Sequence, residues 1–448
     1  MTTRRDFLRN SAFGAAGLTL GSLGVSAKTL SAMAGANDKI RVGIVGFSDR
    51  TRYSLIPAFQ QFAEKMNFEI VAVSDIWALR RKEAETFFLK EYNQKVKLYR
   101  NNEELYASNT VDAVIIATAD FQHARHCIEA MEAGCDAYVE KPFAETMEDN
   151  RAARDAVRKA GKIVQIGSQR RSAPNYHAAA EFIQAGKFGK VNMVEMCWNV
   201  NQPDRWRRPA LVAKCFEKDL DWKRYLLNRP AEAFDARKYL EYRLFWPYSS
   251  GIPGQWMSHQ IDTVHWFMNL NHPRSVAANG GVYFWKDGRK NFDTMTAVFD
   301  YGDDAGKENF QVVYTSRMHN SAGDVKELYF SNGGTLNLDT NKITPDGGLG
   351  EHHASAMGMK PFLLPESELP SVSLVTEAVT GDDPMTAMHM RNWMECVRDR
   401  KQPNAPVDAG YNHSVANIMT TAALRTGEKA TFDEAAQEVM AGGKVFKY

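Results

Sequence analysis

Residues 42–50 read VGIVGFSDR. They close an apolar run, residues 39–46, that stops on a glycine, which reads as a buried strand entering a sharp turn. The turn opens like G-x-G-x-x-G, but its second and third glycine positions fall on Ser48 and Thr51. Helical spacing of Leu55, Ile56, Phe59 and Phe62 follows. A second apolar run, residues 68–75, ends on the carboxylate of Asp75, and a third, 111–118, ends in Ala117-Thr118. Helix patterns at 79–93, 121–133 and 147–160 separate these from short strands at 136–139 and 163–166. Buried strands alternating with helices of this length predict a parallel sheet with crossover helices.

The chemistry of the turn suits a dinucleotide-binding loop, with a parallel α/β sheet that binds no nucleotide as the alternative. Gly46 permits the tight turn. Ser48 is small enough for the backbone to approach a pyrophosphate, and Arg50 and Arg52 offer phosphate contacts. Thr51 in place of a third glycine predicts looser helix–strand packing. Asp75 lies about 30 residues after Gly46, beyond the usual spacing of about 20, and the intervening helix and loop account for the difference. A carboxylate there suits the ribose hydroxyls of NAD. Arg80 and Arg81 leave NADP open. Ala117-Thr118 sits at the carboxyl edge of the sheet, where such sheets present ligands.

Beyond residue 170 the texture changes. Longer, partly alternating strands at 191–200, 275–285, 295–300, 309–316 and 327–330 predict a mostly antiparallel sheet. A Trp/Arg/Tyr-rich segment, 203–256, lies between them, and helices are predicted at 385–398 and 411–427.

The whole chain has 448 residues, 44% of them hydrophobic, and balances 55 basic against 54 acidic side chains for a net charge of +1. That length supports two cores, and that balance gives no reason to expect nucleic acid or an anionic membrane as partner. Five cysteines without a C-x-x-C pair predict buried free thiols, not a zinc site or disulfide framework. His352-His353 lacks a third ligand, so no metal is expected. At the N-terminus, Arg4-Arg5 precedes a Gly/Ala/Leu-rich stretch and Ala32-Met33-Ala34. This order resembles a twin-arginine export signal over residues 1–34, with delivery to the periplasm. No later stretch is long and apolar enough to span a membrane.

Several motifs in order resemble the glucose–fructose oxidoreductase / inositol dehydrogenase / MocA family. They are Ala117-Thr118 with His123, Glu140-Lys141-Pro142, Ile166-Gly167-Ser168-Gln169-Arg170-Arg171, Trp206-Arg207-Arg208-Pro209, Asp221-Trp222, residues 254–266 (GQWMSHQIDTVHW) and residues 398–403 (RDRKQP). The resemblance implies a Rossmann NAD(P)-binding domain over residues 38–166. It implies a C-terminal α/β domain, 167–448, with a large open, mostly antiparallel sheet for substrate and oligomerisation. It implies an NAD(P)-dependent oxidoreductase acting on a sugar, sugar derivative or cyclitol, and a homo-oligomer. Lys141 and His259 would be catalytic. Gly46, Ser48, Arg50, Thr51, Asp75, Ala117, Thr118, His123, Glu140, Lys141 and Gln169 would line the cofactor. Arg170, Arg171, Trp206, Tyr248, Gln255, Trp256 and His259 would meet the substrate.

These residue types suit alcohol oxidation. A lysine beside a cationic nicotinamide has its ammonium form disfavoured and can take the hydroxyl proton. Asp262, three residues after His259, could orient it, and His413 could reach the cleft; His265 is expected to pack in the core. One position departs from the family: many of its dehydrogenases carry an Asp four residues before the histidine, and here that residue is Gln255. Two alternatives stay open: an NAD-dependent glycoside hydrolase or lyase passing through a keto sugar, and a non-catalytic sugar-binding protein.

Overall fold

The computed structural model describes residues 38–302, 309–370 and 383–447. The expected export segment, 1–34, lies outside them.

Six strands form the first sheet: β1 Ile40–Val45, β2 Phe68–Ser74, β3 Lys97–Tyr99, β4 Ala113–Ile116, β5 Asp136–Val139 and β6 Val164–Ile166. Their order is β3-β2-β1-β4-β5-β6, and every pairing is parallel. The four residues of β4 are all buried, as expected of a strand covered on both faces. Val42 and Ile44 face one core with Phe59, Ile70 and Phe88. Val45, Val114 and Ile116 face the other with Cys127 and Val157. The strand order reverses between β1 and β4, so a crevice opens beyond their carboxyl ends, at Gly46 and Ala117.

The second sheet has eleven strands. These are β7 Val191–Asn199, β8 Ser275–Gly281, β9 Thr294–Tyr301, β10 Phe310–Arg317, β11 Val325–Ser331, β12 Gly334–Asn337, β13 Lys342–Thr344, β14 Ser367–Glu368, β15 Ala430–Asp433, β16 Glu438–Ala441 and β17 Lys444–Val445. Their order is β14-β13-β12-β11-β7-β10-β9-β8-β15-β16-β17, antiparallel except for the β7–β10 pair. Alternation sets its faces: Met295, Ala297, Phe299 and Tyr301 of β9 point into the core, while Thr296 is exposed. The helices Ser258–Met268 and Val407–Thr426 cover that inner face through Ile261, Val264, Val415 and Met419.

The expected domain boundary at 166/167 does not hold throughout. The helix Pro384–Asp399 returns to the first sheet and buries Met390, Trp393 and Met394 against Phe59, Phe68 and Ile70. Ala405 also belongs to that domain's core, its carbonyl accepting from the Ile166 amide at 2.8 Å. The five cysteines are free and buried, as expected. His352-His353 lies on a short exposed helix, Glu351–Ala356. No helix of the described residues is long and apolar enough to cross a membrane.

Candidate active site

The turn after β1 works without its second and third glycines. Gly46 has φ 86°, and a Cβ there would stand 2.7 Å from Thr118 Cγ2 and 3.0 Å from the Ala117 carbonyl. Only glycine fits. Thr51 does not loosen the packing, contrary to the expectation. It is fully buried, and its hydroxyl donates to the Gly46 carbonyl at 2.8 Å. The Ser48 hydroxyl lies 3.0 Å from the Thr51 hydroxyl and accepts from the Thr51 amide at 3.2 Å. Side-chain hydrogen bonds thus shape a turn that glycines elsewhere shape by backbone freedom. A π-helical turn, Thr51–Leu55, then leads into the helix Ile56–Met66.

A cavity of about 650 Å³ opens at this edge. Its walls include Gly46, Ser48, Arg50, Asp75, Ala117, Thr118, His123, Glu140, Lys141, Gln169, Arg170, Trp206, Gln255, Trp256 and His259. Three expected site residues do not line it. Thr51 is spent on the turn. Arg171 is locked to Asp262 by two hydrogen bonds, 2.7 and 3.0 Å. Tyr248 is buried against the rings of Phe121 and Tyr225. Asp262 therefore holds Arg171 and does not orient His259. His413, fully buried 3.8 Å from Asp262, does not reach the cavity. His265 sits in the core, bonded to the Tyr301 hydroxyl at 2.9 Å.

Within the nucleotide half, Asp75 accepts from the amides of Phe47 and Trp77 at 2.9 and 2.8 Å, one through each carboxylate oxygen. Arg80 is held by Asp49 and Glu83 at 2.9 and 2.8 Å, so its charge is committed within the protein. Arg50 is committed to Glu140 at 2.9 Å, and Arg52 lies over the rings of Tyr53 and Phe87, away from the cavity. Burial works to raise the Glu140 carboxyl, but Arg50 and Lys141 overcome it and hold the group below its usual range. Two buried polar atoms in this wall lack a partner among the described residues: Thr118 Oγ1 and His123 Nε2. His123 Nδ1 lies 2.8 Å from the Pro142 carbonyl and must donate to it, which leaves Nε2 as a bare acceptor. A glycine turn, a helix start, a carboxylate on the next strand and two orphaned polar atoms fit a dinucleotide.

At the other end, Lys141 follows β5 at a cis bond to Pro142. Its Nζ donates to the Gln255 carbonyl at 2.5 Å. Burial pushes its ammonium down to about 8, against the pull of Glu140 and Asp120. The shift thus exists in the protein alone, before any nicotinamide charge. Burial, with Lys141 and Arg170 nearby, pushes His259 well below its ordinary value, so the ring is neutral. His259 stacks on Trp198, whose ring centroid is 5.9 Å away, and Trp198 stacks on Trp256 at 6.0 Å. Trp206 completes the group, 5.2 Å from Trp256, with a left-handed backbone (φ 67°) that costs energy in a bulky residue.

The segment 203–245 supplies walls that the motifs did not reveal, notably Arg205, Tyr239 and Arg243. It is tied across the nucleotide half by an isolated bridge between Trp77 and Leu220, by Gln122 donating to the Tyr225 carbonyl at 2.7 Å, and by Arg208 with Asp49 at 3.4 Å. Its unusual Trp/Arg/Tyr content was the available signal. Trp198 and Asp120 carried none.

Residues 40–168 match the family described as GFO_IDH_MocA, oxidoreductase family, NAD-binding Rossmann fold. The chain is 31% identical over 162 residues to the inositol 2-dehydrogenase of Salmonella typhimurium, covering 36% of this chain and 47% of that one. It is 41% identical over 126 residues to the scyllo-inositol 2-dehydrogenase (NAD(+)) of Bacillus subtilis, covering 26% and 36%. The chain thus spans about half, or less, of the length of these curated relatives. Among solved structures, the WlbA dehydrogenase of Bordetella pertussis in complex with NADH and UDP-GlcNAcA has TM-score 0.63 at 17% identity, covering 88% of this chain and 99% of that one. Levoglucosan dehydrogenase in complex with NADH and levoglucosan has TM-score 0.63 at 13% identity, with the same coverage. These likenesses establish the two-domain α/β fold, a Rossmann domain followed by a large mixed sheet.

Proposed function

We propose, from the match of residues 40–168 to the GFO_IDH_MocA oxidoreductase family, that the chain is an NAD-dependent oxidoreductase removing hydride from a secondary alcohol of a sugar, sugar derivative or cyclitol. One observation carries the reading. A single cavity runs from the Gly46 turn and Asp75, past the orphaned acceptor of His123, to Lys141 and His259 beside three tryptophans. The relatives' names, inositol dehydrogenases, and the NADH complexes of the structural neighbours support it.

The dinucleotide supplies the hydride acceptor. The amides of Ser48, Asp49 and Arg50, at the helix start after the Gly46 turn, would hold its pyrophosphate. The Asp75 carboxylate keeps a free lone pair on each oxygen for ribose hydroxyls and repels a 2′-phosphate, which favours NAD over NADP. Lys141, about half deprotonated near pH 8, takes the hydroxyl proton as the alcohol is oxidised. Neutral His259 offers the same hydroxyl a hydrogen bond. Trp198, Trp206 and Trp256 give the sugar ring apolar faces.

The test uses natively purified protein, denatured and assayed by mass spectrometry. NAD(H) at about one per chain is expected, with cyclitol- or sugar-dependent formation of reduced nicotinamide. Absence of dinucleotide, together with no thermal shift on adding NAD or NADP, would sink the reading.

The proposal includes export by the twin-arginine route, supported by Arg4-Arg5 and the apolar stretch after them. The double substitution Arg4→Lys, Arg5→Lys is expected to retain precursor in the cytoplasm of a Gram-negative host. A periplasmic pool unchanged by it would refute export by this signal.

A further inference from the structure

Asp120 is 1% exposed, at the start of the short turn Asp120–Gln122 after β4. No ion pair among the described residues includes it. A buried carboxylate without a contacting cation is costly, and natural proteins seldom keep one without use. Its Oδ2 accepts from Ser249 Oγ at 2.5 Å and from Gln255 Nε2 at 2.6 Å. The other end of the Gln255 amide, Oε1, accepts from Arg243 Nε at 2.6 Å. The Gln255 backbone carbonyl holds Lys141 Nζ. One residue therefore touches the carboxylate, the guanidinium and the ammonium.

The amide orientation is fixed. Flipping it would set a carbonyl against the carboxylate and an NH2 against the guanidinium, losing two charge-assisted hydrogen bonds. Glu140, the other carboxylate near Lys141, is already paired with Arg50 and bonded by Gln169 at 3.2 Å. The charge on Asp120 is the one that no guanidinium neutralises at contact.

We propose that Asp120 is the carboxylate partner of Lys141, a positioning residue that steadies the Lys141 ammonium across Gln255 and fixes the Gln255 amide between itself and Arg243. Gln255 cannot itself take a proton, and Asp120 supplies the negative charge one hydrogen bond further out. The charged and titratable groups around Lys141 are Glu140, Asp120, Arg243, Arg50 and His259. Asp120 and Glu140 favour its charged form; Arg243 and Arg50 disfavour it. The purpose of this arrangement rests on the oxidoreductase reading, in which Lys141 is the proton acceptor.

The test is a reciprocal swap read on the chain as purified, with no nucleotide or sugar added. The full chain is reductively methylated with 13C-formaldehyde and titrated by NMR, and the Lys141 signal is assigned by its loss in Lys141→Arg. Asp120→Asn is expected to move the Lys141 titration down by about one unit. Gln255→Asp is expected to move it up. The double variant Asp120→Asn, Gln255→Asp returns a carboxylate to the cluster and is expected to recover the parent titration, which a merely structural role for Asp120 would not do. An unmoved titration in Asp120→Asn, or a double variant that stays displaced, overturns the proposal. If Asp120→Asn alone fails to fold, the double variant decides: folding with the parent titration supports the proposal, and failure to fold overturns it. A missing dinucleotide in the earlier experiment defeats the oxidoreductase reading and leaves this titration interpretable.

Discussion

Lys141→Met is expected to lower kcat by about 10²–10⁴-fold, the range spanned by a positioned general base, while the protein still carries its dinucleotide. Lys141 lines the cavity together with Glu140 and Gln255, and no other lysine lines it among the described residues. Its amine becomes available near pH 8, where an unburied lysine would remain fully charged. The sign follows from that shift: the base form grows as pH rises, so kcat/KM climbs through about pH 8 and then levels. His259 is already neutral across this range and contributes no limb of its own. Lys141→Arg should lose as much as Lys141→Met, because a guanidinium keeps the charge but cannot give up its proton. Steady-state rates and a pH profile on the three proteins check this. Retention of activity within tenfold in both variants would remove Lys141 from the chemistry.

How much of this was legible beforehand differs between the two sheets, for a physical reason. β4 and β5 are buried on both faces throughout, and β1 and β2 toward their carboxyl ends, so each appears in the sequence as a largely apolar run, and Gly46 and Asp75 mark the ends of β1 and β2. The short strands β12–β17 have two to four residues each, too few for alternation to register, and they form by ladder pairing outward from the long strands β11 and β8. The return of the helix Pro384–Asp399 to the first sheet has no local signature: Trp393 is apolar either way, and the core that receives it is some three hundred residues upstream. The site shows the same division. Asp75 could be picked out because its chemistry and its place at a strand end coincide, whereas Lys141 and His259 stood out only through motifs that resemble the family. Thr51, Arg171 and Tyr248 were misplaced because a motif position says nothing about which partner claims the side chain. Asp262 claims Arg171, and the Gly46 carbonyl claims Thr51. Asp120 was passed over because its role depends on Ser249 and Gln255, which the fold brings to it from more than a hundred residues away.

Arg170 illustrates how a cavity residue can be structural at its core, and its removal should cost about 3–5 kcal/mol of stability. The guanidinium lines the cavity beside Trp198, yet its Nη1 donates to Glu327, which is fully buried on β11. Glu327 also receives the hydroxyls of Tyr176 and Tyr329, each at 3.2 Å, and of Thr263. Even with Arg170 present, burial holds the Glu327 carboxyl above its ordinary value. Arg170→Met leaves that carboxylate with hydroxyl donors alone, and the group escapes the penalty only by taking up a proton. The folded chain then binds a proton that the unfolded chain releases at ordinary carboxylate pH. Stability is therefore greatest at acid pH and falls as pH rises through the raised Glu327 value. Urea unfolding of Arg170→Met should show its largest loss at neutral pH and partial recovery toward pH 5. Arg170→Met with Glu327→Gln, which removes the charge and keeps the hydrogen bonds, should regain most of the parent midpoint. If the single variant unfolds at the parent urea concentration at both pH values, the ion pair does not stabilise the fold and Arg170 is left as a cavity residue alone.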